Sequence, residues 1–393
     1  MDLSLENGAL LLLIAAVVAI LTRRLHLPYS IGLVAAGIGL ALLPFAPKVS
    51  FTKEFIFTAL LPPLLFEAAF HIHWNELRRD AGVILVLASV GVLLSAGVTT
   101  LGMHYLAQWE WMGALVFGVL IAATDPISVI ATFKDAKVKG RLLLLVESES
   151  LFNDGTAAVA FGVAVAVASG QHLAPLEIGT TVLVTIGGGI LCGVIVAAGA
   201  LLLAGRTDDH LVEITFTTVA AYGAFLLAED LGVSGVLATI TAGLVMGNLR
   251  SFGTISTRGQ VAVEAFWEYA AFVANSLVFL LIGMHEAHQN FIAIWLPAGI
   301  AVVLVTLGRA AAIYPCCFLF SRSERAVEMS HQHVLFWGGS RGALALALSL
   351  GLPPDMPRRE QIITISFAVV AFSVFVQGLT MTPFLRKLGE IPR

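Results

Sequence analysis

Residues 147–154 read Glu-Ser-Glu-Ser-Leu-Phe-Asn-Asp and lie inside an apolar segment, residues 142–168, that is long enough to cross a membrane as a helix. The stretch places the carboxylates of Glu147, Glu149 and Asp154 where hydrocarbon would otherwise surround them. A charge near the bilayer centre costs about 2.5–3.5 kcal/mol on insertion scales, so these acids need partners or a ligand inside the protein. The segment therefore predicts a membrane fold with a buried polar centre.

The composition agrees with this prediction. The chain of 393 residues is 58% hydrophobic and 12% charged, and its mean hydropathy is +0.92. Soluble domains carry about 25% charged residues, so a soluble fold is excluded. The net charge of −4 is small and the basic residues are scattered, which argues against a nucleic-acid partner.

Apolar runs separated by polar residues predict thirteen membrane-spanning helices and a single all-α transmembrane domain over residues 1–393. The predicted spans are 8–22, 29–45, 55–70, 81–106, 111–132, 142–168, 176–204, 211–228, 233–248, 261–283, 290–320, 331–350 and 361–385.

The basic residues predict the orientation, because cytoplasmic loops carry an excess of Lys and Arg. Of the 22 Lys and Arg residues, sixteen lie in one set of alternate loops, four lie in the other set, and Arg309 and Arg341 lie within spans. We expect the N-terminus outside, the C-terminus in the cytoplasm, and the protein in the plasma membrane.

An internal repeat relates the two halves at an offset of about 206 residues, which aligns Ala36-Gly37 with Ala242-Gly243. The predicted repeats are 8–170 (spans 1–6) and 211–386 (spans 8–13), joined by span 7 at 176–204. One linking span gives the repeats opposite orientations, which is typical of secondary transporters. Chance similarity between apolar helices is the alternative.

Spans 5 and 12 carry interruptions at corresponding positions of the two repeats. Pro126 removes a backbone donor and disfavours helix at Asp125, which leaves carbonyls near Thr124 free to face a cation. In span 12, residues 338–342 read Gly-Gly-Ser-Arg-Gly and permit an unwound stretch. Matched broken helices mark the substrate site of such transporters at the membrane midplane. A simple proline kink is the alternative for span 5.

Helical spacing arranges the acids of span 6 in two strips. Glu147, Ser150 and Asp154 share one face, and Glu149 and Asn153 share the next. Glu147 is either a vestibule charge or an interfacial residue.

Two close carboxylates repel one another, and if Asp125 approaches Asp154 then a proton or a hard cation relieves that repulsion. Both occupants compete for the site, so a carrier that moves only when occupied exchanges one for the other. Sodium or lithium prefers carboxylate, hydroxyl and carbonyl oxygens.

The two arginines within spans need counter-ions, since a guanidinium stays charged in proteins. We predict that Arg341 pairs with Glu149 as a structural ion bridge. For Arg309 we predict an ion pair with Glu67 of span 3, with a gate as the alternative.

Two other classes of protein compete with a transporter. A cation channel would use the same acids, but pores are usually lined by symmetric rings of residues. An intramembrane hydrolase would use Asp125 and Asp154 as a catalytic pair, but an inverted repeat is a transporter feature.

Four stretches together resemble the NhaP-type sodium/proton antiporters and the related animal sodium/proton exchangers. They are Ala123-Thr124-Asp125-Pro126, Glu149-Ser150-Leu151-Phe152-Asn153-Asp154, Pro62-Pro63-Leu64-Leu65-Phe66-Glu67-Ala68 and Gly338-Gly339-Ser340-Arg341-Gly342-Ala343. The resemblance covers essentially the whole chain, and the stretches occur in the family's order.

The resemblance implies residue roles that spacing alone does not give. Asp154 would carry both the cation and the proton, Asp125 would support it, and Ser150 with the Thr124 carbonyl would complete the Na⁺ ligands. Glu149 would contribute and pair with Arg341. Pro126, Asn153, Arg341, Glu67 and Arg309 are the supporting residues that we predict.

The resemblance also implies an NhaA-like antiporter fold and a homodimer that works by an elevator-like movement. Asn153, where the electrogenic branch has a second aspartate, resembles the electroneutral branch that exchanges one ion for one proton. The substrates would be Na⁺ or Li⁺ and H⁺, with K⁺/H⁺ antiport as the alternative, and the lipid bilayer is the partner. We expect neither a cofactor nor an enzymatic activity.

Overall fold

The computed structural model describes residues 5–25, 27–43, 55–136, 138, 140–171, 174–249, 255–287 and 291–391. Within these ranges the chain is helical and contains no strand. The α-helices are α1 (Leu5–Leu25), α2 (Tyr29–Ala41), α3 (Leu61–His71), α4 (Trp74–Val86), α5 (Val92–Tyr105), α6 (Trp111–Leu120), α7 (Ile127–Ala136), α8 (Arg141–Ala168), α9 (Pro175–Ala204), α10 (His210–Asp230), α11 (Gly235–Leu249), α12 (Thr257–Glu286), α13 (Phe291–Phe318), α14 (Met329–Gly338), α15 (Ala343–Leu350), α16 (Arg359–Phe372) and α17 (Gly378–Leu388).

Each of the thirteen predicted spans corresponds to one of these helices or to a pair of them. Lipid offers no partner to backbone N–H and C=O groups, so the apolar segments satisfy them internally as helices. Eight helices in the described ranges are long and apolar enough to cross a membrane, and four shorter apolar helices accompany them. The predicted all-α membrane fold is confirmed.

Spans 4 and 13 are continuous helices that contain π-helical turns. Leu87–Gly91 joins α4 to α5, and Ser373–Gln377 joins α16 to α17. Helix α4 begins at Trp74, earlier than the predicted residue 81, because its polar first turns continue the helix beyond the apolar run. Some residues that enter the orientation count lie outside the described residues, namely Lys48, Lys53, Lys137, Lys139, Arg250 and Arg393.

The breaks in spans 5 and 12 lie against each other. Residues 121–126 separate α6 from α7, and residues 339–342 separate α14 from α15. The Asp125 N–H donates to the Ser340 carbonyl at 2.7 Å, and the Ser340 hydroxyl donates to the Asp125 carbonyl. The predicted pair of broken helices is therefore confirmed, and the two breaks meet through their backbones.

The two repeats pack against each other through two equivalent pairs of helices. Helix α2 of the first repeat packs on α12 of the second, and α11 of the second packs on α3 of the first. At the first contact an added methyl group at Gly37 would overlap the Leu280 carbonyl, and at the second a methyl group at Gly243 would lie 2.8 Å from the Phe66 carbonyl. The sequence repeat aligns these same two glycines, so related residues make related contacts in both halves.

Helix α9 links the repeats and packs on α11 through its glycines. Gly189 lies against the Ser234 carbonyl, and Gly193 lies against the Ala238 carbonyl. Small residues permit such close approach of helices within a membrane. The opposite side of α9 presents apolar side chains to the surroundings, with Leu183 72% and Leu202 73% exposed.

Candidate functional site

Helix α8 carries the predicted ion-binding residues through the centre of the molecule. Glu149, Ser150 and Asn153 are 1%, 3% and 2% exposed, whereas Asp154 is half-buried. Glu147, which lies seven residues before Asp154 on α8, is also half-buried. The helix therefore buries Glu149 fully between other helices and leaves Glu147 and Asp154 partly exposed.

The break in span 5 brings the Thr124 carbonyl to Ser150. The Ser150 hydroxyl donates to the Thr124 carbonyl, and the Thr124 and Ser150 hydroxyl oxygens lie 3.5 Å apart. Thr124 follows the end of α6 and lies outside any helix, so its carbonyl makes no helical hydrogen bond. Half-helix ends of this kind direct carbonyl oxygens toward cations in transporters.

Asp125 is fixed by the break in span 12. Besides the backbone pairing with Ser340, its carboxylate lies so close to Gly342 that a side chain at this glycine would overlap it. Gly342 is the residue before α15, and a negative charge at a helix N-terminus is favourable. The glycine is therefore required for the close approach of the Asp125 carboxylate to the start of α15.

Asp154 carries an oxygen without a hydrogen-bond partner. Its Oδ1 atom is shielded from solvent, and no group in the described part of the chain donates to it. The charges of Asp125 and Glu149 act on it electrostatically. A buried, repelled carboxylate oxygen of this kind is a natural position for a cation or a proton.

Glu149 pairs with Arg309. Arg309 donates to the two carboxylate oxygens of Glu149 at 2.7 and 2.9 Å, and both side chains are buried. Arg309 also donates to the Leu335 carbonyl in the last turn of α14 at 2.9 Å. Asn153 adds a weaker bond to Glu149, 3.3 Å from its Nδ2 atom. The four groups connect α8, α13 and α14.

The predicted partners of both arginines were therefore wrong. Glu149 pairs with Arg309 instead of Arg341, whose Nε and Nη2 atoms have no hydrogen-bond partner among the described residues. Arg309 does not pair with Glu67, which lies on α3 with His71, 3.5 Å from the His71 Nδ1 atom. Helical periodicity shows which residues share a face but not which distant helix lies opposite that face.

Arg341 is almost fully buried and makes one hydrogen bond that the structure shows. Its Nη1 atom donates to the Gly339 carbonyl, and its Nε and Nη2 atoms have no hydrogen-bond partner among the described residues. It is 2% exposed.

Sequence reasoning did not assign a role to Ser340, whose hydroxyl and carbonyl both bind the backbone of Asp125. The available signal was a hydroxyl residue between the glycines of an interrupted span. A small cavity also joins Thr124 and Ser150 to the Glu149–Arg309 ion pair, since all four residues share in lining it.

Comparison with known proteins shows the family and agrees with the fold. A family described as sodium/hydrogen exchanger, transmembrane, matches residues 11–387. The Na⁺/H⁺ antiporter ApNhaP of Aphanothece halophytica is 38% identical over 93% of this chain and 70% of its own length. The Na⁺/H⁺ antiporter NhaG of Bacillus atrophaeus is 36% identical over 98% of this chain and 75% of its own length.

The fold also matches a solved structure. The sodium proton antiporter MjNhaP1 from Methanocaldococcus jannaschii superposes with a TM-score of 0.80, at 18% identity, over 100% of both chains. The crossed broken helices and this likeness define a multi-pass membrane protein of the antiporter fold. The chain belongs to the sodium/hydrogen exchanger family, as its motifs predicted.

Proposed function

We propose that this protein exchanges one monovalent cation, Na⁺ in the first place, for one H⁺ across the membrane. The observation that carries the proposal is the unpartnered Oδ1 atom of Asp154 on the helix whose Ser150 hydroxyl meets the Thr124 carbonyl. Asp154 would bind the cation or the proton, and Asp125, Ser150 and Thr124 would complete the cation ligands. The names of ApNhaP and NhaG as Na⁺/H⁺ antiporters support sodium as the cation.

The charges of the centre support a ratio of one cation to one proton. Three carboxylates lie there, those of Asp125, Glu149 and Asp154, together with the guanidinium groups of Arg309 and Arg341. Their formal charges sum to −1, so one Na⁺ or one H⁺ makes the centre neutral. A neutral centre crosses a low-dielectric membrane at far lower cost than a charged one. Asn153, being uncharged, preserves this balance.

We further propose an elevator-like movement of the ion-binding helices, in a homodimer of the plasma membrane with the N-terminus outside. The helices that surround the two breaks share one hydrophobic cluster. Helices α9, α10 and α12 share a second cluster with residues of α3 and α11, and these last two helices also contribute to the first cluster. A group of helices packed around its own cluster suits movement of the ion-binding helices against it. The excess of Lys and Arg in one set of loops supports the orientation.

The test is cation-driven proton movement in proteoliposomes containing a pH-sensitive dye, with Na⁺, Li⁺ and K⁺ added in turn. We expect Na⁺ to drive proton movement in the wild type, at a rate that an imposed membrane potential does not change. Asp154→Asn should abolish it, because an amide cannot take up the proton. Ser169→Ala, at the end of α8, is the control variant.

Each alternative has its own result in this assay. Proton movement that persists in Asp154→Asn would remove Asp154 from the carrier role. A response to K⁺ but not to Na⁺ would identify a K⁺/H⁺ antiporter. Cation flux without proton countertransport would identify a channel, and a rate that follows the membrane potential would exclude one-for-one exchange.

A further inference from the structure

Arg341 is a buried positive charge that no carboxylate in the described residues neutralises through a hydrogen bond. Its one hydrogen bond goes to a backbone carbonyl, that of Gly339, and its Nε and Nη2 atoms are unpartnered within the described part of the chain. The carboxylate of Glu149 is engaged by Arg309. A guanidinium does not lose its proton in proteins, so the charge of Arg341 persists in the centre.

The backbone of Arg341 lies beside the predicted ion ligands. Of its two neighbours in the chain, Ser340 hydrogen-bonds the backbone of Asp125, and Gly342 lies against the Asp125 carboxylate. Arg341 lines a small cavity together with Arg309, Thr306, Ser373 and Gln377. Gln377 and Ser373 are 7% and 3% exposed and lie in the π-helical turn of span 13.

We infer that Arg341 sets the cation affinity of the centre through space, without contacting the ion. A fixed positive charge near carboxylates opposes the binding of a second positive charge, and the opposition is strong where the dielectric constant is low. Arg341 thus weakens Na⁺ binding and allows Na⁺ to be released after it has crossed the membrane. The charge of Arg309, in contrast, is neutralised by the Glu149 carboxylate. The inference rests on the proposed function, because it assumes that Na⁺ binds at Asp154.

A substitution at Gln377 provides a second way to offset the positive charge of Arg341. In the Gln377→Glu variant a carboxylate replaces an amide of nearly the same shape in the cavity that Arg341 also lines. A carboxylate there would offset the positive charge of Arg341 through space without removing the arginine. Arg341→Gln removes the same charge directly, and Arg341→Lys keeps it.

The experiment measures the Na⁺ concentration that half-stabilises the purified full chain against heat, in detergent, at one fixed alkaline pH. We expect Arg341→Gln and Gln377→Glu to lower this concentration about tenfold, which corresponds to about 1.4 kcal/mol. Arg341→Lys and the uncharged Gln377→Leu should remain within about twofold of the wild type. In proteoliposomes the first two variants should lower KM for Na⁺ and also lower kcat, because release becomes slower.

Each other result has a defined meaning. Weaker Na⁺ binding in Arg341→Gln, or a change of the same size in Arg341→Lys, would show a structural role and overturn the inference. If Arg341→Gln does not fold, Gln377→Glu decides alone, and an unchanged affinity there overturns the inference. A wild type that Na⁺ does not stabilise would overturn the proposed function, whereas a responding wild type with unshifted variants would overturn this inference alone.

Discussion

Glu149 is the residue through which the candidate ion site and its supporting helices are joined. It lies one position before Ser150 on α8, and its carboxylate accepts hydrogen bonds from Arg309 of α13 and from Asn153. Arg309 in turn binds the Leu335 carbonyl near the end of α14. A positive charge at a helix C-terminus is favourable, so one arginine both pairs the acid and caps a broken helix.

The Glu149–Arg309 pair gives a prediction at the residue scale. Removing one member of a buried ion pair strands the other and costs about 3–5 kcal/mol, while replacing both by apolar residues costs much less. We therefore expect Glu149→Leu or Arg309→Met to lower the thermal unfolding temperature strongly, and the double variant to recover much of the loss. Thermal unfolding in detergent measures both effects.

The surface pair of Arg359 and the exposed Glu360, whose Nη1 and Oε1 atoms are 2.7 Å apart, is the matched control. Glu360→Gln should change stability by less than about 1 kcal/mol, because exposed ion pairs contribute little. A double variant at 149 and 309 as unstable as the two single changes combined would show that the pair is not coupled.

At the scale of elements, the two breaks place helix ends of complementary charge around the site. Asp125 lies at the N-terminus of α15, and Arg309 lies at the C-terminus of α14. The half-helix α6 ends before Thr124, whose carbonyl meets the Ser150 hydroxyl. Unwound backbone is tolerated at membrane depth where protein covers it, and here the two breaks cover each other.

The equivalent helix contacts between the two repeats, α2 on α12 and α11 on α3, give a prediction at this scale. Gly37 and Gly39 lie on the same helix, α2, but a methyl group at Gly37 would overlap the Leu280 carbonyl whereas one at Gly39 would meet no atom within 4 Å. Gly37→Ala should therefore destabilise the protein by about 1–3 kcal/mol through overpacking. Gly39→Ala should be neutral or slightly stabilising, since alanine favours a helix.

Thermal unfolding of the two variants, side by side, checks this prediction. Gly243→Ala, the repeat-related change on α11, should behave like Gly37→Ala because Gly243 lies against Phe66 of α3. Equal stability of the variants at 37 and 39 would contradict the close contact of α2 with α12.

At the scale of the whole molecule, the proposed single site for both ions would make cation binding depend on pH. Cation ligands must be deprotonated to bind, so one H⁺ competes with one Na⁺. Where the site is mainly protonated, we expect the apparent Na⁺ affinity to fall about tenfold for each unit decrease in pH. At high pH, where the carboxylate is free, the affinity should level off.

Proteoliposome transport at a series of pH values, each with an Na⁺ titration, measures this dependence. The maximal rate at saturating Na⁺ should change far less than KM on the acid side. A slope near a hundredfold per pH unit would mean that two protons compete with each Na⁺, and a KM independent of pH would mean separate sites for the two ions.

The sequence by itself determined the membrane class, the positions of the spans, the interruptions at Asp125-Pro126 and 338–342, and the family. These features are local in the chain: apolar runs, proline and glycine act on the backbone where they stand, and helical spacing places Ser150 and Asp154 on one face. The inverted repeat also follows from the chain, because spans alternate in direction. The bounds 8–170, 176–204 and 211–386 and the ligand roles of the site residues remain predictions.

The tertiary structure alone decided which arginine pairs with Glu149. Arg309 and Arg341 are both buried cations within spans, and the sequence around each gives no reason to prefer one of them. Arg309 lies 160 positions from its acid, and the choice depends on how α13 packs beside α8 and α14. The same holds for Ser340 and Gly342, which reach Asp125 across the crossing of the two breaks. Partners that lie far apart in the chain are chosen by helix packing, and local periodicity carries no information about them.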